Sequence, residues 1–160
     1  MVPNGRSESE QLSQLRKVLT SESIPLARRF RALFALKHVA SENPPTPQTV
    51  PAIEAIAAAF TSPSALLKHE LAYCLGQTCN PAAIPYLRAA LQDNRQDAIC
   101  RHEAAEALAA LSDMASLPLL EAIRDAEGQP DAVRETCEIA VEKLKWDRSG
   151  GASSEKIKKR

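Results

Sequence analysis

The feature that most constrains the fold is a repeat of about 33 residues. An apolar segment with a proline at its second position occurs three times, as VPAI at 50–53, IPYL at 84–87 and LPLL at 117–120. Each copy is followed by a short polar break and then by a segment rich in Ala, Leu and Glu. A helical pair of this length cannot bury its apolar face alone, so it must stack on the next pair. The sequence therefore predicts an all-α fold, an α-solenoid of about four helical hairpins.

A further pair precedes these repeats, and a loop at 41–48 with three prolines separates the two regions. Ser7 and Glu10 are spaced as a capping box, and Pro25 fits the first turn of a second helix. The proline inside the first helix of each later pair favours HEAT-like repeats, because the ankyrin and tetratricopeptide signatures are missing. The predicted pairs are 7–40, 50–77, 80–111 and 113–146, with residues 1–6 disordered and 147–160 a flexible basic tail or the start of a linker.

Composition excludes several classes of function. The 160 residues carry 20 basic and 20 acidic side chains, so the basic surplus that a nucleic-acid binder needs is missing. No apolar run is long enough to span a bilayer, and the first residues have no apolar h-region, which predicts a location in the cytoplasm, or in the cytoplasm and nucleus. The four cysteines form no C-x-x-C pair and are typical of reduced core thiols rather than of disulfides or zinc ligands.

Two His-Glu pairs, His69-Glu70 and His102-Glu103, recur at the repeat interval. Since the second helices of successive hairpins lie side by side, roughly 10 Å apart, we expect these four groups to converge on one concave surface. Imidazole and carboxylate without thiolate suit non-haem iron, manganese or zinc. The third histidine, His38, has no adjacent carboxylate and is predicted to be a favourable cation at a helix end rather than a ligand.

The helix predicted over 64–77 should bury one stripe and leave the His-Glu pair outside it. Small residues follow both histidines along their rows, which suggests room for a ligand to approach the backbone. At the next step, 32 residues on, Arg134-Glu135 takes the place of the pair. A position that is only solvated would be expected to change to Lys, Gln or Arg between repeats, so the presence of histidine in two repeats favours a ligand. A duplicated surface feature would nevertheless give the same pattern, and both interpretations stay open. The stripe is Leu67, Leu71, Cys74 and Leu75, and the small residues are Ala72, Gly76, Ala105 and Ala109.

Several segments together resemble the N-terminal half of deoxyhypusine hydroxylase, from about Leu12 to Trp146. The resemblance implies a HEAT-like repeat enzyme with two four-repeat halves, a di-iron monooxygenase of hypusine biosynthesis. Such an enzyme uses dioxygen to hydroxylate the deoxyhypusine side chain of a translation initiation factor. The segments that carry the resemblance are FRALF at 30–34, KHELAYCLGQ at 68–77, AIP at 83–85, RHEAAEAL at 101–108 and ETC at 135–137.

Carried over to this chain, the resemblance implies that His69, Glu70, His102 and Glu103 are Fe²⁺ ligands. Glu106, one turn beyond His102, is a candidate contact for the substrate amine or an acceptor for a ligand imidazole. A second pair of His-Glu motifs is absent from the sequence, so the chain would supply at most half of a two-iron site. We therefore expect it to need the missing C-terminal half or a second chain. The alternative is a non-catalytic HEAT-like scaffold that binds a protein partner on its concave face.

Overall fold

The computed structural model describes residues 7–150, and every regular element within them is helical. The prediction of an all-α repeat fold is confirmed. Consecutive helices pack in pairs, and short 3-10 turns lie at 58–61, 81–83 and 114–116. The α-helices are α1 (Glu8–Thr20), α2 (Leu26–Ala40), α3 (Thr49–Ala57), α4 (Ala65–Gln77), α5 (Ile84–Gln92), α6 (Ala98–Ala110), α7 (Leu117–Asp125) and α8 (Asp131–Arg148).

The second helices of the pairs, α2, α4, α6 and α8, form one layer in which each packs against the next. The first helices cover the other side, and a continuous apolar core lies between the two sets. The predicted buried stripe of α4 is part of that core, because Leu67, Leu71, Cys74 and Leu75 are all fully buried. This arrangement leaves the opposite side of the second-helix layer partly open, and both His-Glu pairs are carried on that layer.

In the first and third pairs, a basic residue near the start of the second helix joins the two helices of the pair. The buried Arg29 donates from Nε to the Leu19 carbonyl at 2.8 Å, and Arg101 donates in the same way to Leu91 at 2.9 Å. The last carbonyls of a helix have no partner within it, so each arginine caps the preceding helix. In α4 the same position is Lys68, which pairs with Asp97 at 2.5 Å. The basic residues that precede the two histidines, Lys68 and Arg101, therefore stabilise the packing of the helices.

The helix starts correct the predicted repeat register. The residues that precede α4, α6 and α8 are Ser64, Asp97 and Pro130, at equal spacings of 33 residues. On this register Arg134 corresponds to Arg101, and not to the histidine that follows it. The assignment of Arg134 to the histidine position was therefore wrong. The residue 33 positions after His102 is Glu135, and the one 33 positions after Glu103 is Thr136.

Other predictions have mixed outcomes. The last helix continues to Arg148, so the predicted tail begins with two helical residues, while residues 1–6 and 151–160 lie outside the described part of the chain.

Three of the four free cysteines are buried as expected, but Cys79 is exposed. Burial raises the pKa of the Cys74 thiol to about 12, which keeps it protonated. Between residues 7 and 150 no helix is both long and apolar enough to cross a bilayer.

Candidate metal centre

Three of the four predicted ligands meet at the contact between α4 and α6. One donor atom from each of His69, His102 and Glu103 lies within 4.8 Å of the other two. Glu103 Oε2 is 3.1 Å from His69 Nε2 and 3.9 Å from His102 Nε2. Both imidazoles therefore direct the same ring nitrogen toward one carboxylate oxygen, although they belong to different repeats.

The two imidazole rings stand side by side, with centroids 6.4 Å apart and planes inclined by 18°. Close packing of the helices that carry them accounts for this short separation. A Cβ added to Gly76 of α4 would lie 2.8 Å from the Cβ of Ala107 on α6. Ala72 and Ala105 are fully buried. The expectation that small residues leave room for a ligand was therefore wrong for Ala72, Gly76 and Ala105, because the neighbouring helix fills that space, whereas Ala109 lines an open groove beside His102.

Glu70, the fourth predicted ligand, lies on the other side of the His69 ring. Its Oε2 is 3.9 Å from His69 Nδ1, and it is not one of the three converging groups. The repeat register gives the reason for the difference between the two glutamates. Glu103 contacts the histidine of the preceding repeat. Glu70 has no such partner, because the position of α2 that corresponds to that histidine is Phe30, whose side chain has no nitrogen atom.

Burial dominates the electrostatics of the centre. Glu103 is only 7% exposed, and this burial raises the pKa of its carboxyl group, an effect that the neighbouring His69 partly opposes. The nearby Glu106 adds to the increase through repulsion between like charges. A cation placed among these groups would offset the burial of the Glu103 charge, which is the usual way that proteins hold a buried carboxylate.

The geometry and the donor types fit a first-row divalent metal ion. Imidazole nitrogens and carboxylate oxygens bind such ions at about 2.0–2.2 Å, so two ligands of one ion are separated by at most about twice that distance. The separations of 3.1 Å and 3.9 Å from Glu103 Oε2 to the two Nε2 atoms fall within this limit. His69, His102 and Glu103 can therefore contact one ion after small side-chain movements. Their chemistry suits iron, manganese or zinc.

Replacing Glu103 by Gln should stabilise the metal-free chain at pH 7, by up to about 1 kcal/mol. The folded-state pKa of this carboxyl lies above its unfolded value, so the native state binds more protons between the two values, and stability falls as pH rises through that window. The gain from Glu103→Gln should therefore be present at neutral pH and vanish below about pH 4, where both states are protonated. Urea unfolding at both pH values measures it. An equal or lower stability at pH 7 would contradict the prediction.

Two further residues surround His102. Glu106 Oε2 is 3.7 Å from His102 Nε2, one helical turn away, as the sequence suggested. Thr136 on α8, which the sequence analysis missed, places its Oγ1 2.6 Å from His102 Nδ1. The corrected register would have indicated Thr136, because it takes the position that Glu103 takes beside His69. The remaining histidine, His38, is exposed in the last turn of α2 and lies outside the converging group.

A groove of about 430 Å³ between α6 and α8 opens beside His102. Its floor is formed by small residues, and its walls combine an acidic, a basic and an apolar side chain. The groove is lined by His102, Glu106, Ala109, Ala110, Thr136, Ile139, Ala140 and Lys143.

Comparison with known proteins agrees with the repeat architecture and with the sequence resemblance. A family profile described as HEAT repeats matches residues 53–142. The deoxyhypusine hydroxylase of Phaeosphaeria nodorum is 63% identical over 152 residues, which are 95% of this chain and 46% of that protein. The Aspergillus fumigatus deoxyhypusine hydroxylase is also 63% identical, over 90% of this chain and 43% of its own length.

A solved structure shows the same relationship. Human deoxyhypusine hydroxylase in complex with glycerol superimposes with a TM-score of 0.76 at 42% identity, over 88% of this chain and 46% of the human chain. The present chain thus spans about half the length of the curated relatives it matches. The chain belongs to the HEAT-repeat family, and within that family it resembles one half of a deoxyhypusine hydroxylase.

Proposed function

We propose that this chain supplies half of the metal site of a deoxyhypusine hydroxylase. The observation that carries the proposal is the convergence of two imidazole Nε2 atoms, from His69 and His102, on the buried Glu103 carboxylate. Together with 63% identity to fungal deoxyhypusine hydroxylases, this donor set supports ferrous iron as the bound metal. Iron in such a site supplies the capacity to activate dioxygen for hydroxylation.

Each side chain has a distinct part in this proposal. His69, His102 and Glu103 would hold the ion, and Glu70, which lies beside Nδ1 of His69, is the fourth proposed ligand. Two iron ions offer about twelve ligand positions, far more than these groups fill. The remaining protein ligands would come from the other half of the enzyme or from a second chain. The isolated chain is therefore proposed to be inactive.

Exposed apolar side chains around the centre support a covering partner. Leu66 and Ile99 precede the two histidines by one turn, and Phe34, Tyr73 and Ile139 continue the same face on three helices. Ile139 is 71% exposed. Large apolar residues gathered around a polar centre mark a surface that another protein covers. Burial under the other half would also exclude water from the ion.

The groove between α6 and α8 is the proposed entry for the deoxyhypusine side chain of the initiation factor. Its alanine floor and Ile139 suit the methylene groups of that side chain, and Glu106 would pair with the amine. The position of Glu106, 3.7 Å from His102 Nε2, brings the amine end close to the ion.

Complementation tests the function directly. The chain is mixed with the separately produced remaining half of the Aspergillus fumigatus enzyme, loaded with Fe²⁺ and supplied with deoxyhypusine-bearing initiation factor, dioxygen and a chemical reductant that provides the two electrons needed to reduce the second oxygen atom to water. We expect hydroxylation from the mixture and none from either part alone. In the same assay Glu106→Gln should raise the KM for the factor about tenfold, because a charge-assisted contact is lost. Failure of a stable, iron-loaded complex to hydroxylate would reject the proposal.

A non-catalytic scaffold is the second candidate, and the exposed apolar face favours it equally. The two functions differ in their need for the histidines. A scaffold would retain its partner when His69 and His102 are replaced, whereas the proposed half-enzyme would lose iron and activity.

A further inference from the structure

Thr136 makes two short polar contacts through one oxygen atom. Its Oγ1 lies 2.6 Å from the carbonyl oxygen of Ala132, one turn earlier in α8, and 2.6 Å from Nδ1 of His102 on α6. The threonine side chain is only partly exposed, and it belongs to a different repeat from the histidine. The contact therefore links α8 to the centre formed by α4 and α6.

Proton counting fixes the direction of both hydrogen bonds. A hydroxyl group has one proton to donate and lone pairs to accept with, whereas a carbonyl oxygen can only accept. The hydroxyl of Thr136 must therefore donate to Ala132, since two acceptors at 2.6 Å would repel each other. Its remaining capacity is to accept, so Nδ1 of His102 must carry the proton.

We propose that Thr136 is a positioning residue that holds His102 as the Nδ1–H tautomer. In this tautomer the unprotonated Nε2 directs its lone pair toward Glu103 Oε2, 3.9 Å away. A metal ion needs such a lone pair, and the hydrogen bond of the other ring nitrogen commonly decides which nitrogen carries it. The proposal rests on the metal-binding function proposed above, and it adds a residue outside the ligand set.

His69 provides an internal contrast. Its Nε2 lies 3.1 Å from Glu103 Oε2, a distance at which an Nε2–H group donates a hydrogen bond to the carboxylate, and its Nδ1 has a carboxylate 3.9 Å away instead of a hydroxyl group. The two histidines of the metal-free chain should therefore differ in their protonated nitrogen. A change at Thr136 should affect His102 alone.

Long-range proton–nitrogen NMR spectra of the metal-free chain at about pH 8, above the usual histidine range, test the tautomer. In the parent chain His102 should show a protonated Nδ1 and an unprotonated Nε2. Thr136→Val keeps the side-chain shape but removes the acceptor, so His102 should change to a mixture of tautomers or to Nε2–H. Thr136→Ser should restore the parent pattern, and the His69 signals should stay unchanged in both variants.

Thr20→Val is the matched control, because Thr20 makes the same bond to a carbonyl one turn earlier, Arg16, on a helix far from the centre. It should leave the His102 spectrum intact. An unchanged His102 tautomer in Thr136→Val, or an Nε2–H tautomer in the parent chain, would overturn the proposal.

Metal affinity supplies the second readout. Fe²⁺ titration under anaerobic conditions should give about 10- to 100-fold weaker binding for Thr136→Val than for the parent, with Thr136→Ser close to the parent. Equal affinity in all three chains would refute the positioning role even if the tautomer changes. If the parent binds no iron at all, the proposed function fails, while the NMR spectra still decide the tautomer.

Discussion

Replacing either His69 or His102 by Ala should lower the affinity of the chain for Fe²⁺ at least about 100-fold. Removing a neighbour of a metal ligand already costs 10- to 100-fold, and a ligand itself contributes more. Each variant leaves one imidazole and Glu103, which is too few groups to compete with water for the ion. Iron content after anaerobic loading and desalting measures the effect. The parent should retain at most about one equivalent, because unfilled positions are taken by water.

His38→Ala is the matched control for these variants, since it removes the third histidine of the chain from an exposed position at the end of α2. It should retain iron like the parent. Circular dichroism melting curves show whether each variant is folded, and the half-buried histidines should allow this. Equal iron in the parent and in all three variants would contradict the metal centre.

Gly76→Leu should lower the free energy of unfolding by about 3 kcal/mol and the Tm by roughly 6–12 °C. Even a single Cβ at this position would lie 2.8 Å from Ala107 Cβ and 3.2 Å from its Cα. The conflict involves backbone as well as side chain, so α4 and α6 must separate. Separation would also part His69 from Glu103 and weaken Fe²⁺ binding. Thermal melts and iron titration measure the two effects.

A compensating pair of substitutions tests whether the contact itself is responsible. Gly76→Ala alone should destabilise less than Gly76→Leu, because alanine adds one carbon atom and favours helix. Adding Ala107→Gly opens the space that the new Cβ needs, so the double variant should be more stable than the sum of the single changes predicts. Strict additivity would show that the helices are not in tight contact at this position.

The fold could be predicted from the sequence because the signals were local and repeated. The proline-marked segments and the spacing of Leu67, Leu71 and Leu75 each require only helical geometry, and the buried stripe is found as expected. The pairing of successive helices followed from the shortness of the breaks between them. The repeat period also placed His69 and His102 on neighbouring helices, which the structure confirms.

The sequence did not predict which side chains of one repeat contact those of the next, because these contacts depend on how the two helices are aligned. Glu70 and Glu103 follow their histidines identically in sequence, yet only Glu103 has a histidine in the preceding repeat to meet. Thr136 was missed because the register was read from Arg134, one residue out of step. Counting from the first residue of each helix, rather than matching residue types, identifies the correct position.

The contact of each histidine with a residue 34 positions later means that the centre belongs to a junction and to no single repeat. A single hairpin could hold no ion, because the donor atoms come from two successive hairpins. A metal site therefore arises only when the hairpin is duplicated. Because each ion takes the Nε2 atoms of two successive histidines, a histidine can serve only one junction, so a tandem array of identical α3–α4 hairpins should carry at most one cation for every two units. Such an array would be a regularly spaced row of metals along a helical rod.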